Sequence, residues 1–331
     1  MKQFTRGSNE SALVLMYHRI AEPGIDPWDL SVSPKHFEQQ IRMLKEKYRL
    51  VSIPELAEFI RKGKIPGNCV CISFDDGYED NFQLAWPMLE SLELPATFFI
   101  STYFIQQQEM FWWDELAEML LSEPVKKKSV SLNIRQELLT FHFDDENDPL
   151  QYAKIAAAWK WPAKPPNNQC EAYLAIWEKL RPLPLPEIKT VLDKLAVTLN
   201  YMPVNKNPGK AMSEGQLREL SVSSLCTVGL HTHTHPALSA HSKHVQEKEI
   251  RENATRLHTI TDIIPTILAF PYGDYDADLL QLADEMGITM AFVTQEGPVT
   301  IKSNLFELGR IQVKDWTGDQ LKATLDHWFN L

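Results

Sequence analysis

The sequence is short of cysteine, of positive charge and of long apolar runs, and each shortage excludes something. Four cysteines in 331 residues, Cys69, Cys71, Cys170 and Cys226, are too few and too scattered for a disulfide framework. Cys69 and Cys71 stand two apart in an apolar run, so they share one face of a strand and do not easily bridge. The four read as reduced thiols, which predicts a cytoplasmic protein. The 33 basic residues are outnumbered by 44 acidic ones, for a net charge of −11. Such a chain is a poor partner for nucleic acid or an anionic membrane surface, and neither is expected. No stretch approaches the roughly 18 consecutive apolar residues of a membrane span, so no transmembrane segment is expected. The apolar run in MKQFTRGSNESALVLMYHRI stops within a few residues, short of signal-peptide length. No internal repeat or low-complexity tract is present.

What remains is ordinary for a soluble globular protein, with 44% apolar and 23% charged residues. The length suits one large α/β domain, or a core with an elaboration. Short apolar runs occur at ALVLMY (12–17), YRLVS (48–52), CVCISF (69–74), PATFFI (95–100), CTVGL (226–230), PTILAF (265–270) and ITMAFV (288–293). They predict seven strands. Between them, Phe37, Ile41, Leu44 and Tyr48 keep helical spacing. So do Ile53, Leu56, Phe59 and Ile60, and later Leu279, Leu280, Leu282 and Ala283. Strands alternating with helices predict a parallel sheet with crossover helices. Residues 104–210 break the alternation. They hold an aromatic opening (FWWDEL, 111–116), a possible hairpin (SVSLNI and LLTFHF), and a helix after PLPLP with Ile188, Val191, Leu192, Leu195 and Leu199 on one face. The predicted organisation is a core of 1–103 and 211–331 with a mostly helical insertion, 104–210, between strands four and five.

Four places could carry chemistry. In SFDDG (73–77) an apolar run ends in Asp75, Asp76 and Gly77. Carboxylates at a strand's C-terminal end lie where a parallel barrel keeps its active site, and glycine permits the sharp turn. Taken alone, the motif equally describes an acidic turn such as the one at Asp144 and Asp145. In GLHTHTHP (229–236) three histidines alternate at 231, 233 and 235. Imidazoles suit borderline divalent metals, but spacing does not say which two of His231, His233 and His235 bind, and a solvated His-rich turn is the plainer alternative. AFPYGDYD (269–276) follows another strand, and Pro271, Tyr272 and Gly273 read as a shaped turn. His18 ends the first strand in LVLMYHRI. By itself it is an ordinary core histidine. Together the four gain weight, because the C-terminal ends of parallel strands converge on one rim.

SFDDG, HTHTHP and FPYG, in this order after these strands, resemble the polysaccharide deacetylase (NodB-homology) family, carbohydrate esterase family 4, over residues 10–103 and 211–315. The resemblance implies an α/β fold, a distorted (β/α)7 barrel. It implies that Asp76, His231 and His235 bind a divalent metal, Zn²⁺ first, with Co²⁺, Ni²⁺ or Mn²⁺ as alternatives. It implies Asp75 as general base, Tyr272 as the residue whose backbone N–H holds the oxyanion, and Thr232 at the family's Ser/Thr position. The expected activity is N-deacetylation of an acetylated sugar or glycan, an N-acetylhexosamine intermediate or oligosaccharide of bacterial surface-glycan assembly.

Two features depart from the family pattern. The arginine that usually precedes Pro-Tyr is replaced here by Ile-Leu-Ala-Phe, and no late strand ends in a histidine. His327 sits in a helix-like pattern and substitutes poorly. The first strand resembles that last strand moved to the N-terminus, which makes His18 the candidate general acid. Arg310, in LGRIQV, is the candidate replacement for the arginine that orients Asp75, the alternative being a surface salt bridge. Thr232, Pro271, Trp112 and Trp113 are candidate substrate contacts, with the tryptophans as sugar-stacking rings or as anchors of the insertion. The sequence leaves open the sugar, its carrier and the oligomeric state.

Overall fold

The computed structural model describes residues 10–22, 24–144, 148–202 and 209–330, so Asp145 lies outside the described residues. The chain forms two compact units, Met1–Glu22 with Leu30–Gln108 and Ala211–Leu331, and Pro23–Asp29 with Glu109–Lys210. The first break therefore falls at 108/109 rather than near 103, and a seven-residue loop belongs with the second unit.

The first unit is built on a nine-stranded sheet. Its strands are β1 (Ser11–Tyr17), β2 (Arg49–Leu50), β3 (Cys69–Phe74), β4 (Ala96–Ile100), β5 (Cys226–Leu230), β6 (Ile267–Ala269), β7 (Met290–Phe292), β8 (Val299–Thr300) and β9 (Ile311–Gln312). Every residue of β1, β3 and β4 is buried. That is the signature of parallel strands covered on both faces, and it is why these runs are continuously apolar rather than alternating. β1 pairs in parallel with β3 from Ala12↔Cys69 to Tyr17↔Phe74. The sheet then runs β3, β4, β5, β6, β7, all in parallel.

The curled sheet matches the predicted α/β barrel, but one of its seven parallel staves differs from the expectation. The run at 48–52 yields only β2, which lies against the start of β3, Arg49↔Cys69 and Leu50↔Val70. The seventh stave is the segment at 308–313. Leu308 bridges Phe292 in parallel. Val293 N–H donates to the Leu308 carbonyl at 3.0 Å. On the other side β9 pairs with Leu15 and Met16 of β1. This stave thus joins the edge strand β7 to β1. Gly309 permits the close approach, since a Cβ there would stand 2.8 Å from the Gln295 carbonyl oxygen.

Helices follow the expected patterns. Pro34–Lys47 is capped by Ser33 and buries Phe37, Ile41 and Leu44. Ile53–Arg61 starts on a Ser52/Glu55 capping box, which satisfies two otherwise unpaired N–H groups. Ala277–Glu285 is capped by Asp276. The 19-residue helix Lys243–Thr261 was not anticipated.

The second unit holds an antiparallel hairpin, Ser129–Ile134 with Glu137–His142, and four helices of at least ten residues among its described residues, Trp112–Leu121, Pro149–Ala158, Asn168–Leu180 and Leu185–Leu199. The last begins after PLPLP and buries Ile188, Val191, Leu192 and Leu195, with Leu199 half-buried. Trp112 and Trp113 are only 2% and 5% exposed. Trp113 stacks on Phe111 with ring centroids 4.9 Å apart, and Trp112 on Trp177 at 6.2 Å. Side chains so enclosed pack as anchors of the insertion would, one of the two roles the sequence left open.

Candidate active site

Asp75 and Asp76 follow directly on the last residue of β3. Asp75 N–H still donates to the Tyr17 carbonyl at 3.0 Å, continuing the pairing of β1 with β3 one step past the strand. The chain then turns. Asp76 and Gly77 take left-handed conformations at φ 71° and 90°. The two neighbouring carboxylates consequently reach different partners.

Asp76 meets the histidines. After β5, Thr232 and His235 are also left-handed, at φ 62° and 59°. These turns break the alternation that would have kept 231, 233 and 235 on one side of a strand. His231 Nε2 and His235 Nε2 lie 3.3 and 3.2 Å from Asp76 Oδ1. His233 is drawn elsewhere, with its Nδ1 2.9 Å from Thr102 Oγ1. Asp76, His231 and His235 are 2%, 2% and 6% exposed, and their donor atoms lie within 4.8 Å of one another.

This trio fits a divalent cation. Two donors bound tetrahedrally at ~2.0–2.1 Å stand ~3.3 Å apart, the separation found here. His231 Nδ1 lies 2.8 Å from the Ala269 carbonyl oxygen. A carbonyl only accepts, so the hydrogen belongs on Nδ1 and the Nε2 lone pair faces Asp76 and His235. Burial pushes the Asp76 carboxyl up, yet contact with His231 and His235 outweighs it and holds the group below the usual carboxylate range. Burial pushes both imidazoles down. In His235 burial wins, whereas in His231 the charges of Asp75 and Asp76 win and leave it raised.

Asp75 meets Arg310. The guanidinium Nη1 and Nη2 each donate to a different oxygen of Asp75 at 2.7 Å. Arg310 is fully buried, so this is no surface pair. Its Nε donates to the Val293 carbonyl at 3.3 Å, and the guanidinium carbon stands 5.5 Å from the Phe99 ring centroid. Burial raises the Asp75 carboxyl, but Arg310 first, then His231 and His18, outweigh it and leave it lowered. His18 is half-buried and within electrostatic reach of Asp76 as well. Its backbone carbonyl accepts from Asn81 Nδ2 at 2.7 Å. The Tyr272 ring sits edge-on to His235 at 4.6 Å between centroids.

A sequence profile of the polysaccharide deacetylase family matches residues 62–142 and 184–291, more than half of the chain. The chain belongs to the polysaccharide deacetylase family. The family match enters the insertion from both sides, where the sequence alone suggested that all of 104–210 falls outside the resemblance. A Staphylococcus aureus poly-β-1,6-N-acetyl-D-glucosamine N-deacetylase is 31% identical over 129 residues, 35% of this chain and 44% of that protein. A putative polysaccharide deacetylase, YxkH, of Bacillus subtilis is 32% identical over 108 residues, 32% of this chain and 37% of that protein. The matched part is thus less than half the length of these relatives. Among solved structures, the Streptococcus pyogenes deacetylase PplD in complex with acetate superposes with a TM-score of 0.59 at 19% identity, covering 95% of this chain and 97% of that one. IcaB from Ammonifex degensii gives 0.57 at 16% identity, with 98% of each chain covered. At such identities the likeness establishes the deacetylase fold alone.

Within that fold the structure brings together Asp75, Asp76, His231, His235 and Arg310, with His18 within electrostatic reach of both acids. Thr232 is fully buried and its Oγ1 accepts from His235 N–H at 3.1 Å. Pro271 is buried under the Tyr272 turn. Both help to shape their loops. Three supporting residues escaped the sequence. Ser101 Oγ donates to the His231 carbonyl at 2.8 Å, Asn81 holds His18, and Asn253 reaches His231 from the helix Lys243–Thr261. Of these only Ser101 carried a signal, as the polar residue immediately after β4.

Proposed function

We propose that this chain is a metal-dependent N-deacetylase that hydrolyses the acetamide of N-acetylhexosamine residues in a bacterial surface glycan. The carrying observation is the buried Asp76–His231–His235 trio, with the Asp75–Arg310 ion pair on the residue next to Asp76. The names of the Staphylococcus aureus relatives make a β-1,6-linked N-acetylglucosamine polymer the first substrate to test, and a carrier-linked oligosaccharide intermediate the second. Zn²⁺ is the ion proposed, because two imidazoles and one carboxylate suit it; Co²⁺, Ni²⁺ and Mn²⁺ are the alternatives.

The ion, when bound, supplies a Lewis acid that polarises the acetyl carbonyl and acidifies a water. Asp75 takes the proton of the attacking water at a carboxylate oxygen. Arg310 occupies one lone pair on each oxygen and leaves the other. The guanidinium keeps Asp75 ionised at neutral pH at some loss of basicity, so the proton it accepts must come from an acidified donor. The water oxygen bonds the acetyl carbon, the C–N bond breaks, and acetate and a free amine leave. His18 is assigned the proton delivered to that amine, and the Tyr272 N–H the developing oxyanion.

The test is acetate release from β-1,6-linked N-acetylglucosamine oligomers and carrier-linked N-acetylhexosamines, with and without chelator. Chelator-sensitive release is expected. Hydrolysis of formamides or cyclic ureides but of no acetylated sugar would replace the reading with another C–N hydrolase. Glycan binding without any hydrolysis would make the chain a binding module. A cytoplasmic location belongs to the same proposal and rests on four free thiols. Fractionation that finds the protein outside the cytoplasm removes it.

A further inference from the structure

The loop that carries the two histidines is held in a costly shape. Thr232 and His235, both non-glycine, adopt left-handed backbone conformations. Thr232 is β-branched, the residue type least suited to that region. Such conformations persist only where the surroundings over-determine them. The surroundings here are one face of the helix Lys243–Thr261.

Gln246, Glu249 and Asn253 stand three and four residues apart on that helix, hence on one side of it. Gln246 Nε2 donates to the carbonyls of Leu238 and His241 at 3.0 and 3.1 Å. The Glu249 carboxylate accepts from Thr234 N–H and from its hydroxyl, both at 2.7 Å. The Glu249 backbone carbonyl accepts from His233 N–H at 3.1 Å. Asn253 is fully buried. Its Oδ1 accepts from His231 N–H at 3.0 Å, while its Nδ2 donates to the Ile100 carbonyl at 2.9 Å and to Thr102 Oγ1 at 3.0 Å. Thr102 Oγ1 in turn contacts His233 Nδ1. A buried amide that ties β4 to the first residue after β5 fixes where His231 begins.

We infer that this polar rail is a positioning device for the metal centre, with Asn253 as its main member and the third histidine, His233, enlisted in the rail rather than at the ion. This rests on the metal-dependent reading above. None of the rail residues touches the ion or the substrate; they act through His231 and His235.

The test is Zn²⁺ affinity of the full chain, stripped with chelator and titrated by competition against a chromogenic chelator, together with the melting temperature of the metal-free protein. Asn253→Ala is expected to lose about 10–100-fold in affinity. Leu257→Ala, one turn further along the same helix and equally buried, is expected to lower the metal-free melting temperature yet keep wild-type affinity. Glu249→Gln, which keeps the shape but gives up one acceptor, is expected to fall between them, and it carries the test if Asn253→Ala does not fold. Wild-type affinity in a folded Asn253→Ala, or in Glu249→Gln where it alone folds, overturns the inference. So does an equal loss in Leu257→Ala. Wild-type protein that takes up none of Zn²⁺, Co²⁺, Ni²⁺ and Mn²⁺ defeats the metal reading itself, a result distinct from either.

Discussion

The two units solve the problem of a core in opposite ways. Among the described residues, the second unit buries only Asp26 and Gln169 as polar side chains. Gln169 spends its amide on the carbonyls of Leu120 and Glu123 at a helix end. The rest of that core is aliphatic and aromatic, with Trp112, Trp113 and Trp159 in it. The first unit buries Asp75, Asp76, His231, His235, Asn253 and Arg310, most of them just beyond the ends of β3 and β5. Burying ionisable groups is expensive unless each finds a partner. The first unit concentrates that cost in one place, whereas the second buries a single carboxylate, Asp26, among the described residues. The second core is mostly apolar packing; the first also houses the groups to which the proposed reaction is assigned.

That contrast can be broken by substitution. The largest effect is expected from Asp75→Asn, which should cut acetate release by roughly 10²–10⁴-fold while Zn²⁺ uptake stays intact. Normal turnover would remove Asp75 as the base. His18→Ala should lose a similar factor on sugars with a poorly departing amine and much less on an activated anilide, whose leaving group needs no acid. An equal loss on both would end its role as acid. Arg310→Met leaves the Asp75 charge buried and uncompensated, and should lower unfolding free energy by about 3–5 kcal/mol. Urea denaturation reads this, and Arg310→Lys should recover only part, since lysine lacks the two-pronged geometry.

Trp112→Ala should cost a comparable ~3–5 kcal/mol through the cavity it leaves. Its Zn²⁺ affinity should not change, and a loss of affinity would blur the division between the two cores. The smallest effect is expected at Asp315, whose Oδ1 accepts from Ser33 N–H at 2.8 Å and lies 2.7 Å from His36 Nδ1. Burial raises this carboxyl, but Ser33 and His36 together outweigh it, so its pKa is lowered in the folded chain. Its stabilisation is therefore present above the unfolded value near ~3.9 and is lost as pH falls through the lower folded value. Asp315→Asn should cost about 1 kcal/mol or less at neutral pH, and the difference should vanish in acid.

Much of this was legible beforehand. β3 and β5 match their apolar runs residue for residue; β3 is buried along its whole length, which demands a nearly continuous apolar run. The ends of those strands pointed to Asp75, Asp76, His231 and His235. Three things were not legible. β9 has two residues, too few to show any period, and its place depends on pairing with β1, nearly three hundred residues away. The run at 48–52 looked like a stave but finds only the first residues of β3 to pair with. Gln246, Glu249 and Asn253 look like the solvated side of a helix, since a polar side chain facing a polar loop reads the same as one facing water.

The stave at 308–313 sets the order in which the site can come into being. Asp75 leaves the ribosome early, but Arg310, the guanidinium that grips it among the described residues, arrives more than two hundred residues later. Closing the seam and neutralising the acid are one event, because Arg310 lies between the contacts that join Leu308 to Phe292 and Ile311 to Leu15. The Asp75–Arg310 pair therefore cannot form before the 308–313 stave is in place, so barrel closure and the ion pair stand or fall together.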